Sequence, residues 1–267
     1  MLLKVDHLTR YHYDQPVRGV VQSHRLTPSQ FEGQQVLDWS VTVTDGVNGG
    51  AFRDGAGDWI ASWSVLGPVQ EIVVQVTGTV RTADTAGVLR GHKSLIRPEV
   101  YMRDTRATEA DENLRALAEA GRGDDLLGGA HALMAAIGEA ILYKPGVTRA
   151  HTTACEALSL GEGVCQDHAQ VMVTCARVLG LPARYVSGYL YAAKDETHEA
   201  AHAWAEVFIE GLGWVGFDPA NQCCPDERYI RLGSGLDALD AAPIRGTARG
   251  EGTESLDVNV AVLAAQQ

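Results

Sequence analysis

The chain has 267 residues, 45% of them hydrophobic, which is enough to bury a full-sized core and excludes a disordered or low-complexity protein. Its 34 acidic and 22 basic residues leave a formal net charge of -12, which opposes non-specific attraction to nucleic acid or anionic lipid and predicts neither as a partner. No stretch approaches the roughly 18 apolar residues of a membrane span, and five cysteines, few and odd in number, read as reduced thiols rather than a disulfide framework.

The first residues, MLLKVDHLTRYHY, are interrupted by Lys4, Asp6, His7 and Arg10 and lack the apolar run of a secretory signal, so a cytoplasmic protein is expected. Up to about residue 85, apolar and polar residues alternate in LLKVDHLTRYHY, RGVVQSHRL, QQVLDWSVTV, DWIASWSVL and QEIVVQVTGTV. Turn signals separate these runs at Asp14 to Pro16, Thr27 to Ser29 and Asn48 to Gly50. A β-rich layer is predicted, either a sandwich or a curled sheet. Between residues 85 and 100 the pattern switches to helical spacing, which marks a domain boundary. One helix is predicted from near Thr108 through DENLRALAEAG to Gly121, and a second over DLLGGAHALMAAIGEAILY, ending before Pro145.

Thr153 and Glu156 then have capping-box spacing at the start of TTACEAL. The loop SLGEG delivers Cys165. Beyond it Val171, Met172, Cys175, Val178 and Leu179 fall at helical spacing, with Gly180 and Pro182 as the stop, so Cys165 is placed at a helix N-terminus. Unpaired N–H groups and the positive end of the helix dipole stabilise a thiolate there, and the backbone N–H of Cys165 is a candidate oxyanion donor. Next, ARYVSGYLYA reads as a strand and AHAWAEVFIEGLGWVGFDP as a hairpin. His202 and Asp218 lie an even number of positions apart. A turn centred near Glu210 makes them close partners, whereas one centred on Leu212 puts Asp218 opposite Glu206. If they meet, Asp218 fixes the imidazole while His202 takes the thiol proton.

The stretches GEGVCQDHA (161–169), AHAW (201–204), GWVGFDPAN (213–221) and PDERYI (225–230) resemble the transglutaminase-like superfamily of papain-type thiol enzymes. The resemblance is to its bacterial branch, whose members are often described as cysteine proteases. It implies an α+β fold: an N-terminal β-rich, sandwich-like domain over residues 1–95, a papain-like/transglutaminase-like core over 96–245, and an extended C-terminal strand over 246–267 containing SLDVNVAVLAA. It further implies a catalytic triad of Cys165, His202 and Asp218 that acts through an acyl-thioester on a carboxamide or peptide bond of a peptide or protein substrate, with no cofactor and no metal. Two departures are visible. The chain reads DGAGDWIASWSVL where relatives usually carry an aspartate followed by a Gly-Asn pair, and His168 stands where many have an aromatic residue. Three residues from Cys165, His168 is placed to line the cleft, but a partly buried ring bonded to a carbonyl is the preferred reading. Asp167 is likewise read as structural, able to accept hydrogen bonds that fix the cysteine loop.

A rival motif overlaps this stretch: His198, Glu199 and His202 spell HEAAH, the zinc-protease pattern of two histidines one helical turn apart with a glutamate base. It requires a helix and a third ligand, for which Glu206 or Asp218 are the candidates, yet the residues after His202 alternate with period two. A non-catalytic binding protein is the remaining alternative. Cys155 and Cys175 are expected in the core and Cys223 and Cys224 in a loop, and neither a phosphate loop nor a GxSxG elbow is present.

Overall fold

The computed structural model describes residues 1–192 and 200–264. The expected N-terminal runs merge into longer strands. β1 (Leu2–Thr27) and β4 (Trp59–Thr82) pair along most of their length, and Asp14 to Pro16 falls where their register shifts between His12 and Val17 instead of at a chain reversal. β2 (Gln34–Val43) pairs with the second half of β4 and β3 (Gly46–Arg53) with the first. The chain crosses between them at Thr44 and Asp45, where Asp45 has a φ of 54°, so the expected turn at Asn48 to Gly50 is a register shift inside β3.

Helix α1 (Glu112–Ala118) starts later than Thr108, because the Asp111 carboxylate accepts from Leu114 N at 2.8 Å and caps it there. Helix α2 (Leu126–Ala140) is capped by Asp125 and gives way to a short strand, β5 (Leu142–Tyr143). Helix α3 (Ala154–Leu160) carries the capping box of Thr153 and Glu156, and β6 (Glu162–Gly163) then pairs in parallel with β5. Helix α4 (Cys165–Val178) follows at once. β7 (Ala183–Leu190), β8 (Ala201–Ile209), β9 (Gly213–Phe217) and β10 (Tyr229–Gly235) make an antiparallel sheet of order β10-β7-β8-β9. The last strands, β11 (Ile244–Arg249) and β12 (Glu254–Ala264), return to pair with the two halves of β1, and residues 265–267 of the expected closing strand lie outside the described residues.

Every residue of β7 is buried, because the sheet is covered on both sides. Val171, Met172 and Cys175 of α4 pack in one core with Tyr185, Ala203, Ala205 and Val207, while Tyr189, Ile230 and Leu232 join Leu3, Val5, Val20 and Ile72 of the N-terminal sheet in a second. Polar groups weld the same interface. Arg231 pairs with Asp58 at 2.6 Å and with Glu206 at 2.9 Å, Glu206 pairs with Arg184 at 2.7 Å, and Ser234 donates to Asp58 from its backbone and hydroxyl. Asp58 comes from the DGAGDW stretch that departs from the family pattern.

His7, buried against Tyr189 Oη at 2.7 Å, and the buried His24 and His92 side chains are each pushed down to about 4 by burial. In the unfolded chain such groups titrate near 6.5. Between those values the unfolded state binds more protons, so stability falls as pH drops from about 6.5 toward 4 and this contribution is exhausted below. Thermal melts should show the midpoint dropping across that window, before the carboxylates titrate. A midpoint constant from pH 7 to 4.5 would contradict the neutral buried histidines.

Candidate functional site

The glycines of GEGVC serve two separate needs. Gly161 ends α3 in the left-handed region at a φ of 67°, and Gly163 leaves room for Asp167, whose Oδ2 would lie 2.7 Å from a Cβ added there. Val164 has no side-chain acceptor with which to cap α4. Asp167 compensates: its Oδ2 accepts from Val164 N at 2.8 Å and from Thr148 Oγ1 at 2.7 Å, which fixes the loop ahead of Cys165. His168 does not line the cleft. It is 1% exposed, and its Nδ1 and Nε2 face the carbonyls of Val164 and Ile141, each at 2.9 Å, bracing α4 against the end of α2. Cys165 is half-buried as the first residue of α4, where its own backbone N–H has no intrahelical acceptor.

The hairpin carrying the other two residues takes neither of the two registers considered above. Ile209 pairs with Gly213 and Ala205 with Phe217, which centres the turn on Gly211. A three-residue loop, Glu210 to Leu212, with Gly211 and Gly213 both at positive φ, explains the choice. The even spacing still puts His202 and Asp218 on one face, but as diagonal neighbours, with Asp218 just beyond β9 and level with Trp204. Diagonal reach suffices: His202 Nε2 donates to Asp218 Oδ2 at 2.6 Å. That bond occupies Nε2, so any proton exchange with Cys165, which lies close enough to act on the ring's charge, would use Nδ1. Burial alone would lower the imidazole pKa, but Asp218 and Cys165 together push it up to about 10, which favours the charged ring.

Two residues that the sequence reading did not select complete the cluster. Asn221 Nδ2 and Tyr229 Oη each donate to Asp218 Oδ2 at 2.8 Å, while Oδ1 accepts from the backbone N–H groups of Ala220 and Asn221. Burial pushes the Asp218 carboxyl upward, yet the contacts from His202, Asn221 and Tyr229 outweigh it and hold the group below the usual carboxylate range. The local signal near Asn221 is the Asx turn that Asp218 makes onto the Ala220 N–H two residues on, which sets Asn221 beside the carboxylate. Tyr229 arrives from β10, and nothing local in PDERYI points to it.

Of the zinc pattern, only His202 falls among the described residues. His198 and Glu199 lie outside them, and His202 is on a strand rather than a helix. Its suggested third ligands are engaged elsewhere, Glu206 with Arg184 and Arg231 and Asp218 with His202. Among the described residues no group of three or more His, Cys, Asp or Glu side chains could hold a metal ion. Of the other thiols, Cys175 is buried in the core, Cys155 is half-buried and donates to the Glu109 carbonyl, and Cys223 and Cys224 are half-buried in the loop after β9.

Residues 115–219 match the model of the transglutaminase-like superfamily, and residues 3–81 match that of the bacterial transglutaminase-like N-terminal region. An uncharacterised protein of Mycobacterium leprae is 30% identical across 97% of this chain and 98% of its own. The chain belongs to the transglutaminase-like superfamily. The superfamily region spans α1 to the residue after Asp218 and so contains Cys165, His202 and Asp218, while the N-terminal match ends within β4. The transglutaminase-like fold extends to a solved structure of a candidate cysteine protease from Cytophaga hutchinsonii, with a TM-score of 0.76 and 22% identity over 100% of this chain and 92% of that one. A shorter similarity, 33% identity over 28% of this transglutaminase-like chain and 12% of the other, reaches a protein-glutamine gamma-glutamyltransferase of Pseudomonas aeruginosa.

Proposed function

We propose that this protein is a thiol acyl-transfer enzyme, a cysteine protease or amidase, with Cys165 as nucleophile, His202 as base and acid, and Asp218 as the orienting carboxylate. The observation that carries this reading is the buried His202–Asp218 pair, with Nε2 bonded to Oδ2 at 2.6 Å, near enough to Cys165 at the head of α4 for the two to influence each other's charge. The thiolate attacks the carbonyl carbon of a carboxamide or peptide bond, forming a C–S bond and an oxyanion that the Cys165 N–H receives. His202 Nδ1–H then protonates the leaving nitrogen, the C–N bond breaks, and an acyl-thioester remains. Water attacks the thioester while the neutral imidazole removes its proton. The C–S bond breaks and the thiolate–imidazolium pair is restored.

Hydrolysis is the first reading because water is always available as acceptor. Transfer to a primary amine is the second, favoured by the similarity to the gamma-glutamyltransferase and dependent on excluding water from the thioester. Mass analysis of a glutamine-containing peptide incubated with and without a primary amine separates them. Hydrolysis yields the glutamate peptide or two fragments and releases ammonia or a new amino terminus whether or not amine is present, whereas transfer yields a product heavier by the amine less ammonia only when the amine is present.

Thiol labelling tests the site without a known substrate. Burial raises the pKa of Cys155 and Cys223, that of Cys224 to about 11 and that of Cys175 to about 12, so these four stay thiols at neutral pH. Iodoacetamide at pH 7 should therefore modify Cys165 at least about tenfold faster than any of them, as peptide mapping would show. Equal modification of all five would remove the thiol-enzyme reading. One stoichiometric zinc in the purified protein, lost on His198→Ala, would restore the metalloprotease alternative.

A further inference from the structure

Asp218 is supplied with more donors than it can fully serve. Oδ2 receives His202 Nε2 at 2.6 Å, Asn221 Nδ2 at 2.8 Å and Tyr229 Oη at 2.8 Å, and Oδ1 receives the N–H groups of Ala220 at 3.1 Å and Asn221 at 3.3 Å. A carboxylate offers about four lone-pair sites, two on each oxygen, so three donors compete on Oδ2. The competition is built in rather than incidental. Asp218 is 0% exposed, and the Tyr229 ring stands edge-on to both His202 and Trp204 at centroid separations of 5.8 and 5.5 Å, which fixes where the hydroxyl points. Cys223 Sγ lies 3.3 Å from Tyr229 Oη; because burial keeps Cys223 a thiol, its S–H donates to that oxygen and strengthens the tyrosine as a donor to Asp218.

We propose that Tyr229 and Asn221 are positioning residues that compete with His202 for Asp218 Oδ2 and so set how readily the imidazolium releases its proton. Each donor drains negative charge from the carboxylate and weakens what remains for the ring. A ring held too firmly by an unshared carboxylate would be a poor acid toward the leaving nitrogen, and sharing the carboxylate keeps the proton transferable. The charged and titratable groups around the ring are Cys165 from α4, Asp218 from the loop after β9, and Tyr229 from β10. Behind Tyr229 lies Cys223, itself under the influence of Asp226 and Arg228.

This inference rests on the assignment of Cys165, His202 and Asp218 as one site, and its test separates the two. The His202 ring is followed by NMR across a pH titration of isotopically labelled protein, in the native chain, in Tyr229→Phe and in Asn221→Ala. The second variant covers the case in which the first does not fold. Removal of a competitor should raise the ring's titration midpoint by about 0.5 to 1 pH unit. Loss of a mere prop would loosen the His202–Asp218 bond and lower it, so an unchanged or lowered midpoint in the folded variants overturns the role of Tyr229 and Asn221. Alkylation of the same samples reports on the site itself. Selective labelling of Cys165 with an unmoved midpoint sinks only the positioning role, whereas absence of selectivity in the native chain sinks both.

Discussion

A His202→Ala variant should alkylate at Cys165 on the order of 10²-fold more slowly than the native chain at pH 6, and lose turnover on the order of 10²- to 10⁴-fold. The alkylation estimate follows from ionisation: an ordinary cysteine titrates near 8.5 and is well under about 1% thiolate at pH 6, whereas an adjacent imidazolium favours the thiolate form. Asp218 and Cys165 push the His202 ring toward that charged form against the opposing effect of burial. The variant should fold, because Asp218 keeps four donors, two backbone N–H groups together with Asn221 Nδ2 and Tyr229 Oη. Any loss of reactivity is then chemical, which circular dichroism checks. The difference should also shrink toward pH 9, where an unassisted thiol ionises by itself. A native-to-variant rate ratio below about threefold at pH 6 would mean that His202 does not activate the sulfur.

Glu206→Ala should cost about 3–5 kcal/mol of stability in urea unfolding. Glu206 is 3% exposed and its two oxygens divide between Arg184 at 2.7 Å and Arg231 at 2.9 Å, so alanine leaves two guanidinium groups buried around a single remaining carboxylate, Asp58. Arg184 is fully buried with its Nη atoms otherwise unpaired and stacked 4.1 Å from the Trp214 ring. The cluster also sets an acid limit. Burial would raise the carboxyls of Asp58 and Glu206, but Arg231 and Arg184 hold both at about 2, below their ordinary values of 3.8 and 4.5. Their contribution is therefore complete above about pH 4.5 and is lost as pH falls through about 2. A loss below about 1 kcal/mol for Glu206→Ala would show that the two sheets are held together by apolar packing and not by this cluster.

The misplaced elements share a cause. Leu2 to Thr27 alternates on both sides of Asp14 to Pro16, and local turn chemistry there proposed a reversal that the long ladder to β4 absorbed as a register shift. β3 was missed because Asn48 to Gly50 carries turn residues, yet the partner strand accommodates them as an irregularity. In the hairpin, parity alone put His202 and Asp218 on one face, but the choice of centre lay with the positive φ of Gly211 and Gly213 and with the pairing of Ala205 to Phe217.

Local sequence was enough wherever a feature depends on neighbours within about one helical turn or one strand pleat. The Thr153 and Glu156 capping box, the placement of Cys165 at the head of α4, and the shared face of His202 and Asp218 are of this kind, because their geometry follows from the 3.6 and 2.0 periods of the backbone. Contacts between residues far apart in the chain had no such signature. Tyr229 reaches Asp218 only because β10 lies beside β7 in a sheet whose order is not the chain order, Asp58 meets Arg231 across 173 positions, and β12 closes on β1 from the opposite end of the chain. Burying two sheets against each other selects those partners, since each carboxylate removed from water must find donors wherever the packed fold happens to supply them.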